Sequence, residues 1–144
     1  MSNNYWVDAF KWHNEAAAES GRAAGRILVL INGGAAVALL GLIGALAGAE
    51  CFENQQIQRF GSNLIWFAWG VVTAAGTLAL GYLVNYCHAG AARTQIVNPG
   101  SPHGHWLWPA NVFSFGAILA GVLSLAAFVL GMFAVRDALS LLNC

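Results

Sequence analysis

The stretch ILVLINGGAAVALLGLIGALAGA, residues 27–49, is 23 residues long and carries no charged side chain. Two further uncharged stretches, residues 64–87 and 112–135, contain 24 residues each. A helix needs about 20 consecutive apolar residues to cross the hydrocarbon core of a bilayer, which is roughly 30 Å thick. We therefore predict an all-α integral membrane protein whose three transmembrane helices occupy these three stretches.

The overall composition supports a membrane protein with a single domain. Among 144 residues, 58% are hydrophobic and only 8% are charged, whereas a soluble domain has about 25% charged residues. The first apolar stretch is too long for a secretory signal peptide and follows three acidic residues, so we expect it to remain as a membrane span. The formal net charge is zero, which argues against a nucleic-acid partner and leaves membrane lipid as the expected surroundings.

The segment before the first span has the charge pattern of an amphipathic helix, which we place at residues 5–26. At about 100° per residue, its charged side chains fall in one stripe roughly 80° wide. These residues are Asp8, Lys11, Glu15, Glu19, Arg22 and Arg26. No proline separates this segment from the first span, so the two form one long helix or meet at a kink at Gly21 or Gly25.

Two polar segments, residues 50–63 and 88–111, are predicted to be the loops that connect the spans. The second contains the turn signal Asn98-Pro99-Gly100, and Asn111 is a plausible N-cap for the third span. The basic residues are unequally divided between the two sides of the membrane. Lys11, Arg22, Arg26 and Arg93 lie on one side, and Arg59 and Arg136 lie on the other. By the positive-inside rule, the N-terminus is cytoplasmic and the C-terminus is periplasmic or extracellular.

Small residues are concentrated in the first span, and we assign its glycines to helix packing. Small side chains allow helix backbones to approach closely, which is how helices associate in lipid. The glycines are Gly33, Gly34, Gly41, Gly44 and Gly48. The pattern is compatible with packing inside the chain and with a contact between subunits, and both alternatives stay open.

Polar residues inside the spans are the candidates for a transport pathway, with Asn32 first, followed by Thr73 and Thr77. In an oligomer, a ring of such side chains can line a pore for ions or small polar solutes. The alternative is ordinary hydrogen bonding between helices. No Asp, Glu, Lys, Arg or His lies deep in a span, which argues against proton-coupled transporters and pumps.

The sequence predicts no enzyme, no metal site and no cofactor. No nucleophile has a base at motif spacing, and the pair His103 and His105 lacks further ligands. Cys51 and Cys144 fall on the outer side of the predicted topology, where a disulfide bond between them can persist. Cys87 falls on the cytoplasmic side and is expected to be a free thiol.

The segment LINGGAAVALL, residues 30–40, resembles a segment found in small uncharacterised bacterial inner-membrane proteins. With the alanine- and arginine-bearing helix before it, the resemblance covers about residues 15–48. It implies a bacterial inner (plasma) membrane, and it implies no activity and no functional residues.

Three functions follow as hypotheses. The first is a homo-oligomeric channel or pore. The second is an accessory or structural subunit of a larger membrane complex, which contributes packing surface. The third is a membrane anchor that recruits a soluble partner through its N-terminal helix.

Overall fold

Three long helices account for the chain in the computed structural model, which describes residues 3–47, 54–97 and 104–140. They are α1 (Asn3–Ala47), α2 (Asn54–Val97) and α3 (Gly104–Ser140). Each contains a segment that is long and apolar enough to cross a membrane: Glu15–Ala45, Phe60–Thr94 and Trp106–Ser140. For the described residues, the prediction of an all-α fold with three helices long and apolar enough to cross a membrane is confirmed.

Of the two alternatives for the N-terminal segment, the structure has the first, because α1 runs as one α-helix from Asn3 to Ala47. Both Gly21 and Gly25 lie inside it. A glycine in a helix interior costs only about 1 kcal/mol relative to alanine, so two glycines do not end a helix whose other residues favour it. At a rise of about 1.5 Å per residue, the part of α1 before Ile27 is roughly 36 Å long.

The helices also extend into both segments that we predicted to be connecting loops. Residues 54–63, 88–97 and 104–111 are helical, so the loop boundaries at 50–63 and 88–111 were too wide. Hydropathy detects only the part of a helix that lies in hydrocarbon, whereas the backbone hydrogen bonds continue until a residue interrupts them. Accordingly, α2 includes residues 88–97, and Val97 is the last described residue before Pro99.

The start of α3 corrects a further prediction. The helix begins at Gly104, so Asn111 lies inside it and is not its N-cap. Pro109 lies within the second turn, where its missing N–H removes one backbone hydrogen bond close to the helix start. The cost is smaller there than in the middle of a span, because the first carbonyl groups of a helix are near its polar end.

Consecutive helices run antiparallel. At one end of the bundle, Leu39 of α1 packs in a buried cluster with Phe60 and Phe67 of α2. Phe128 of α3 meets Phe67 edge to face, with ring centroids 6.1 Å apart. Asn63 of α2 also donates a hydrogen bond from Nδ2 to the carbonyl oxygen of Ala134, at 3.0 Å. This end is therefore held by all three helices.

The three helices are unequally packed. The contact between α2 and α3 is the most extensive, α1 packs mainly on α2, and α1 barely touches α3. Only 11% of the most apolar window of α1 is buried in the chain, against 17% for the windows of α2 and α3. Large apolar side chains cover the outside of the bundle, among them Leu30, Val37, Trp69, Phe115 and Ile118. Such a surface suits lipid or another membrane protein.

Candidate functional site

A small polar cluster joins the three helices near the middle of the spans. Asn32 of α1 and Ser124 of α3 are both fully buried, with 0% of their surface exposed. The Nδ2 group of Asn32 donates to Ser124 Oγ at 3.2 Å and to the Leu28 carbonyl oxygen at 3.0 Å. Ser124 Oγ in turn donates to the Gly70 carbonyl oxygen of α2 at 2.8 Å. We call Asn32, Gly70 and Ser124 the polar junction.

Gly70 is required in the polar junction because the Asn32 side chain lies directly on its backbone. A Cβ atom at position 70 would overlap the Asn32 carboxamide. Asn32 Oδ1 is buried and has no hydrogen-bond partner among the described residues. A carbonyl oxygen placed against a glycine backbone is the arrangement in which weak Cα–H···O contacts form between helices. The junction thus depends on a polar residue, a glycine and a hydroxyl that come from three different helices.

This geometry places Asn32, the first candidate for pore lining, in the interior of one chain. Its two amide hydrogens are both used inside the bundle, so the geometry favours the alternative of interhelical hydrogen bonding. Thr73 and Thr77 are half-buried on α2. Thr73 Oγ1 donates to the Trp69 carbonyl oxygen at 2.8 Å, and Thr77 Oγ1 donates to the Thr73 carbonyl oxygen at 3.1 Å. Both hydroxyls are therefore bonded within their own helix.

The glycines predicted for helix packing do not pack within the chain. A Cβ atom added at Gly33, Gly34, Gly41 or Gly44 would meet no atom within 4 Å, and Gly48 lies outside the described residues. At about 100° per residue, these four glycines lie on the side of α1 roughly opposite Asn32 and Leu39, whose side chains point into the bundle. We call them the glycine face of α1. Of the two alternatives, the contact within the chain is not observed, and the contact between subunits stays a prediction.

Other glycines make the close contacts inside the bundle. Gly25 lies against Leu78, Gly90 against the Trp106 ring, and Gly131 against the Phe67 ring. Trp106 also meets Tyr86 edge to face, with ring centroids 6.4 Å apart. Sequence analysis did not assign these glycines to helix packing, because nothing in a single sequence distinguishes a glycine beneath a large side chain from one that faces lipid.

An open groove of about 1120 Å³ lies between residues 17–31 of α1 and the neighbouring faces of α2 and α3. One wall is formed by small residues of α1, including Ala17, Ala18, Gly21 and Ala24, and the other by α3 from Ser114 to Leu125. The groove exists because these small side chains do not fill the space toward α3. Its lining is mainly apolar, and among the described residues its charged members are Arg22 and Arg26.

The remaining candidate residues fall partly outside the described residues. Cys51, Cys144 and His103 lie there, as does the side chain of His105, so the predicted disulfide stays a prediction. Cys87 is buried on α2 and is a free thiol, as expected. Within the described ranges, no group of three or more His, Cys, Asp or Glu side chains is placed to hold a metal ion.

The polar junction, the glycine face and the groove are therefore defined by the geometry of this chain alone. The resemblance of residues 30–40 to bacterial inner-membrane proteins stays a prediction. No protein-family model, curated protein or solved structure matches the chain.

Proposed function

We propose that this chain is a non-enzymatic subunit of a membrane assembly and that it meets its neighbours through the glycine face of α1. The supporting observation is the empty space over Gly33, Gly34, Gly41 and Gly44 in the single chain. Glycine in a helix that faces only lipid brings no packing benefit, whereas glycine at a helix contact lets two backbones approach closely. We place the assembly in a bacterial inner membrane with the N-terminus in the cytoplasm.

The low burial of α1 supports the same proposal. This helix contacts α2 along one side and barely touches α3, so most of its apolar surface is free to meet another protein. Exposed Leu30, Val37 and Leu40 lie on or beside the glycine face. Alternating large and small residues on one face form ridges and grooves into which a second helix can fit. A second copy of the chain is the simplest partner with a matching surface.

A substitution on the glycine face tests the assembly. Gly44→Leu places a large side chain where a neighbouring backbone would lie, and we expect it to convert the oligomer to monomers in mild detergent or nanodiscs. Gly76→Leu on α2 is the matched control, because a Cβ atom at Gly76 also meets nothing within 4 Å. The measurement is the mass of the protein particle for wild type and both variants.

Three results of this experiment are informative. A homogeneous wild-type oligomer that only Gly44→Leu disrupts supports a homo-oligomer. Foreign subunits that co-purify with wild type and are lost from Gly44→Leu support a role as an accessory subunit. A wild-type monomer without foreign subunits at membrane-like protein concentrations contradicts the proposal.

A homo-oligomeric channel is the second candidate, and it is favoured by polar side chains on the groove rather than by Asn32. Thr77, Asn85 and Ser114 line the groove, and Asn85 is exposed. If these residues line a pathway, Asn85→Leu reduces the flux of ions or small solutes through liposomes that contain the purified protein. Asn32→Ala then serves as the comparison, because its side chain is buried. Wild-type protein that passes no solute removes this candidate.

A further inference from the structure

The groove between α1, α2 and α3 has one apolar half and one half that carries two cationic side chains. In the apolar half, its walls are formed by aliphatic side chains, including Ile31, Val122 and Leu125. Toward the N-terminus of α1, they include Arg22 and Arg26. The lining stretch of α1, residues 17–31, extends over about 21 Å at 1.5 Å per residue. Of this length, the part from Arg22 to Ile31 spans about 14 Å, which accommodates the upper part of an acyl chain below an anionic headgroup.

The two arginines lie next to the start of the uncharged stretch of α1, where lipid phosphates are expected. Arg26 is the last charged residue before the uncharged stretch that begins at Ile27, and Arg22 lies one turn further from it. Both are exposed. Arg22 Nε donates to the Ala18 carbonyl oxygen at 3.3 Å, which leaves the terminal nitrogens of its guanidinium group available. Guanidinium groups bind phosphate oxygens in a forked, two-bond geometry.

Among the described residues, no Asp or Glu lines the groove beside these arginines. The three uncharged stretches carry no acidic residue, so a second copy that laid one of these segments into the groove would bring no negative charge to the arginines. Basic pockets between transmembrane helices are sites where anionic lipid headgroups bind. Charge complementarity therefore favours a lipid over a helix as the occupant.

We propose that this groove binds one anionic phospholipid, with its phosphate held by Arg22 and Arg26 and its acyl chain beside Ile31 and Leu125. The site extends across all three helices, so the bound lipid fills the space between α1 and α3 and stabilises their arrangement. It uses none of the glycines on which the assembly proposal depends, so the two proposals can fail separately.

The test is lipid binding to the purified full chain in mild non-ionic detergent, followed by native mass spectrometry. The probes are phosphatidylglycerol and phosphatidylcholine with identical acyl chains. Each arginine near an anionic headgroup contributes about a fivefold increase in affinity, so two predict a preference of about thirtyfold for phosphatidylglycerol. We expect one retained lipid in wild type and near parity between the two lipids in the double variant Arg22→Gln/Arg26→Gln.

Two further variants separate the groove from general surface charge. Arg93→Gln removes an exposed arginine of α2 that does not line the groove, and it should keep the preference. Gly81→Leu places a large side chain in the groove from α2 without changing the charge. An added Cβ atom at this position meets nothing within 4 Å, so the helix packing tolerates it. This variant should weaken the binding of both lipids. Circular dichroism and particle mass confirm that each variant is folded.

The identity of the occupant is tested with a photoreactive phenylalanine analogue at position 118, which is exposed in the groove. After irradiation in phosphatidylglycerol nanodiscs, a lipid adduct supports the proposal. A cross-link between two copies, or to another segment of the same chain, overturns it. The proposal is also overturned if Arg22→Gln/Arg26→Gln keeps the preference, if Arg93→Gln loses it equally, or if Gly81→Leu binds as wild type.

Discussion

Asn32 shows what an amide does in the interior of a membrane protein. Hydrocarbon offers no partner for its N–H groups, and an unpaired polar group there costs several kcal/mol. Both N–H groups are therefore used, one by the Leu28 carbonyl oxygen and one by Ser124 Oγ. Because Ser124 passes a second hydrogen bond to Gly70, one side chain links three helices at a single depth. Asn32 fixes the register of the bundle.

We expect Asn32→Ala and Ser124→Ala each to lower the free energy of unfolding by about 1 kcal/mol, since each removes interhelical hydrogen bonds. The double variant should show a coupling energy of about 0.6 kcal/mol, the average for such pairs in membrane proteins. Steric trapping or denaturant titration of the protein in bicelles measures these quantities.

Ser114 provides the control for this pair, because it is half-buried on the groove wall of the same helix. Ser114→Ala should show no coupling to Asn32→Ala. A coupling between Asn32 and Ser124 that is no larger than this control would mean that the polar junction does not form in the bilayer.

The contact between α2 and α3 depends on glycines that lie under aromatic rings. A Cβ atom at Gly131 would be 2.8 Å from Phe67 Cζ, and one at Gly90 would be 2.8 Å from Trp106 Cε3. Aromatic rings are rigid, so they cannot move away from an added Cβ atom as the flexible end of a leucine side chain can. Each aromatic ring packs against a glycine of the opposite helix, and this contact sets the distance between the two helices.

Gly131→Ala should therefore destabilise the protein by about 1–3 kcal/mol, the usual cost of overpacking. Gly76→Ala is the matched control on α2, and it should be neutral or slightly stabilising because alanine favours the helix and no atom lies within 4 Å of the added methyl group. The free energy of unfolding in bicelles distinguishes the two variants.

A second substitution tests the cause of the effect. Phe67→Leu introduces a smaller and more flexible side chain, so it should reduce the penalty of Gly131→Ala. If Gly131→Ala lowers the free energy of unfolding equally in the wild-type background and in the Phe67→Leu background, the packing explanation is contradicted.

The bundle as a whole has an odd number of spans, which places its two ends on opposite sides of the membrane. Exposed Ser20 precedes the uncharged stretch of α1, residues 27–49, and exposed Ser140 is the last residue of α3. From the distribution of Lys and Arg, we expect Ser20 in the cytoplasm and Ser140 outside.

Single cysteines test this arrangement in a chain whose three native cysteines are replaced by alanine. With a membrane-impermeant maleimide, Ser140→Cys should be labelled in intact spheroplasts, and Ser20→Cys should be labelled only after permeabilisation. The reverse pattern would contradict the orientation alone. Labelling of both positions from the same side would contradict the three-span architecture.

The number and nature of the helices follow directly from sequence, because crossing hydrocarbon requires a continuous apolar segment with all its backbone hydrogen bonds made internally. That requirement is local, so the three uncharged stretches predict it without knowledge of any neighbour. The helix ends were less predictable, since residues 54–63 and 88–97 are polar yet continue α2. Hydropathy does not register a helix that leaves the membrane.

The positions of Asn32 and the glycines depended on which helix faces which. The sequence identified Asn32 as unusual at its depth, but only the packing of α2 and α3 against α1 buries it and gives it Ser124 as a partner, 92 residues away. The same packing leaves Gly44 facing outward and places Gly131 beneath Phe67. Lipid and protein are both apolar surroundings, so the pattern of apolar residues that predicts a span does not specify its inward side. That choice arises from contacts between helices distant in the chain.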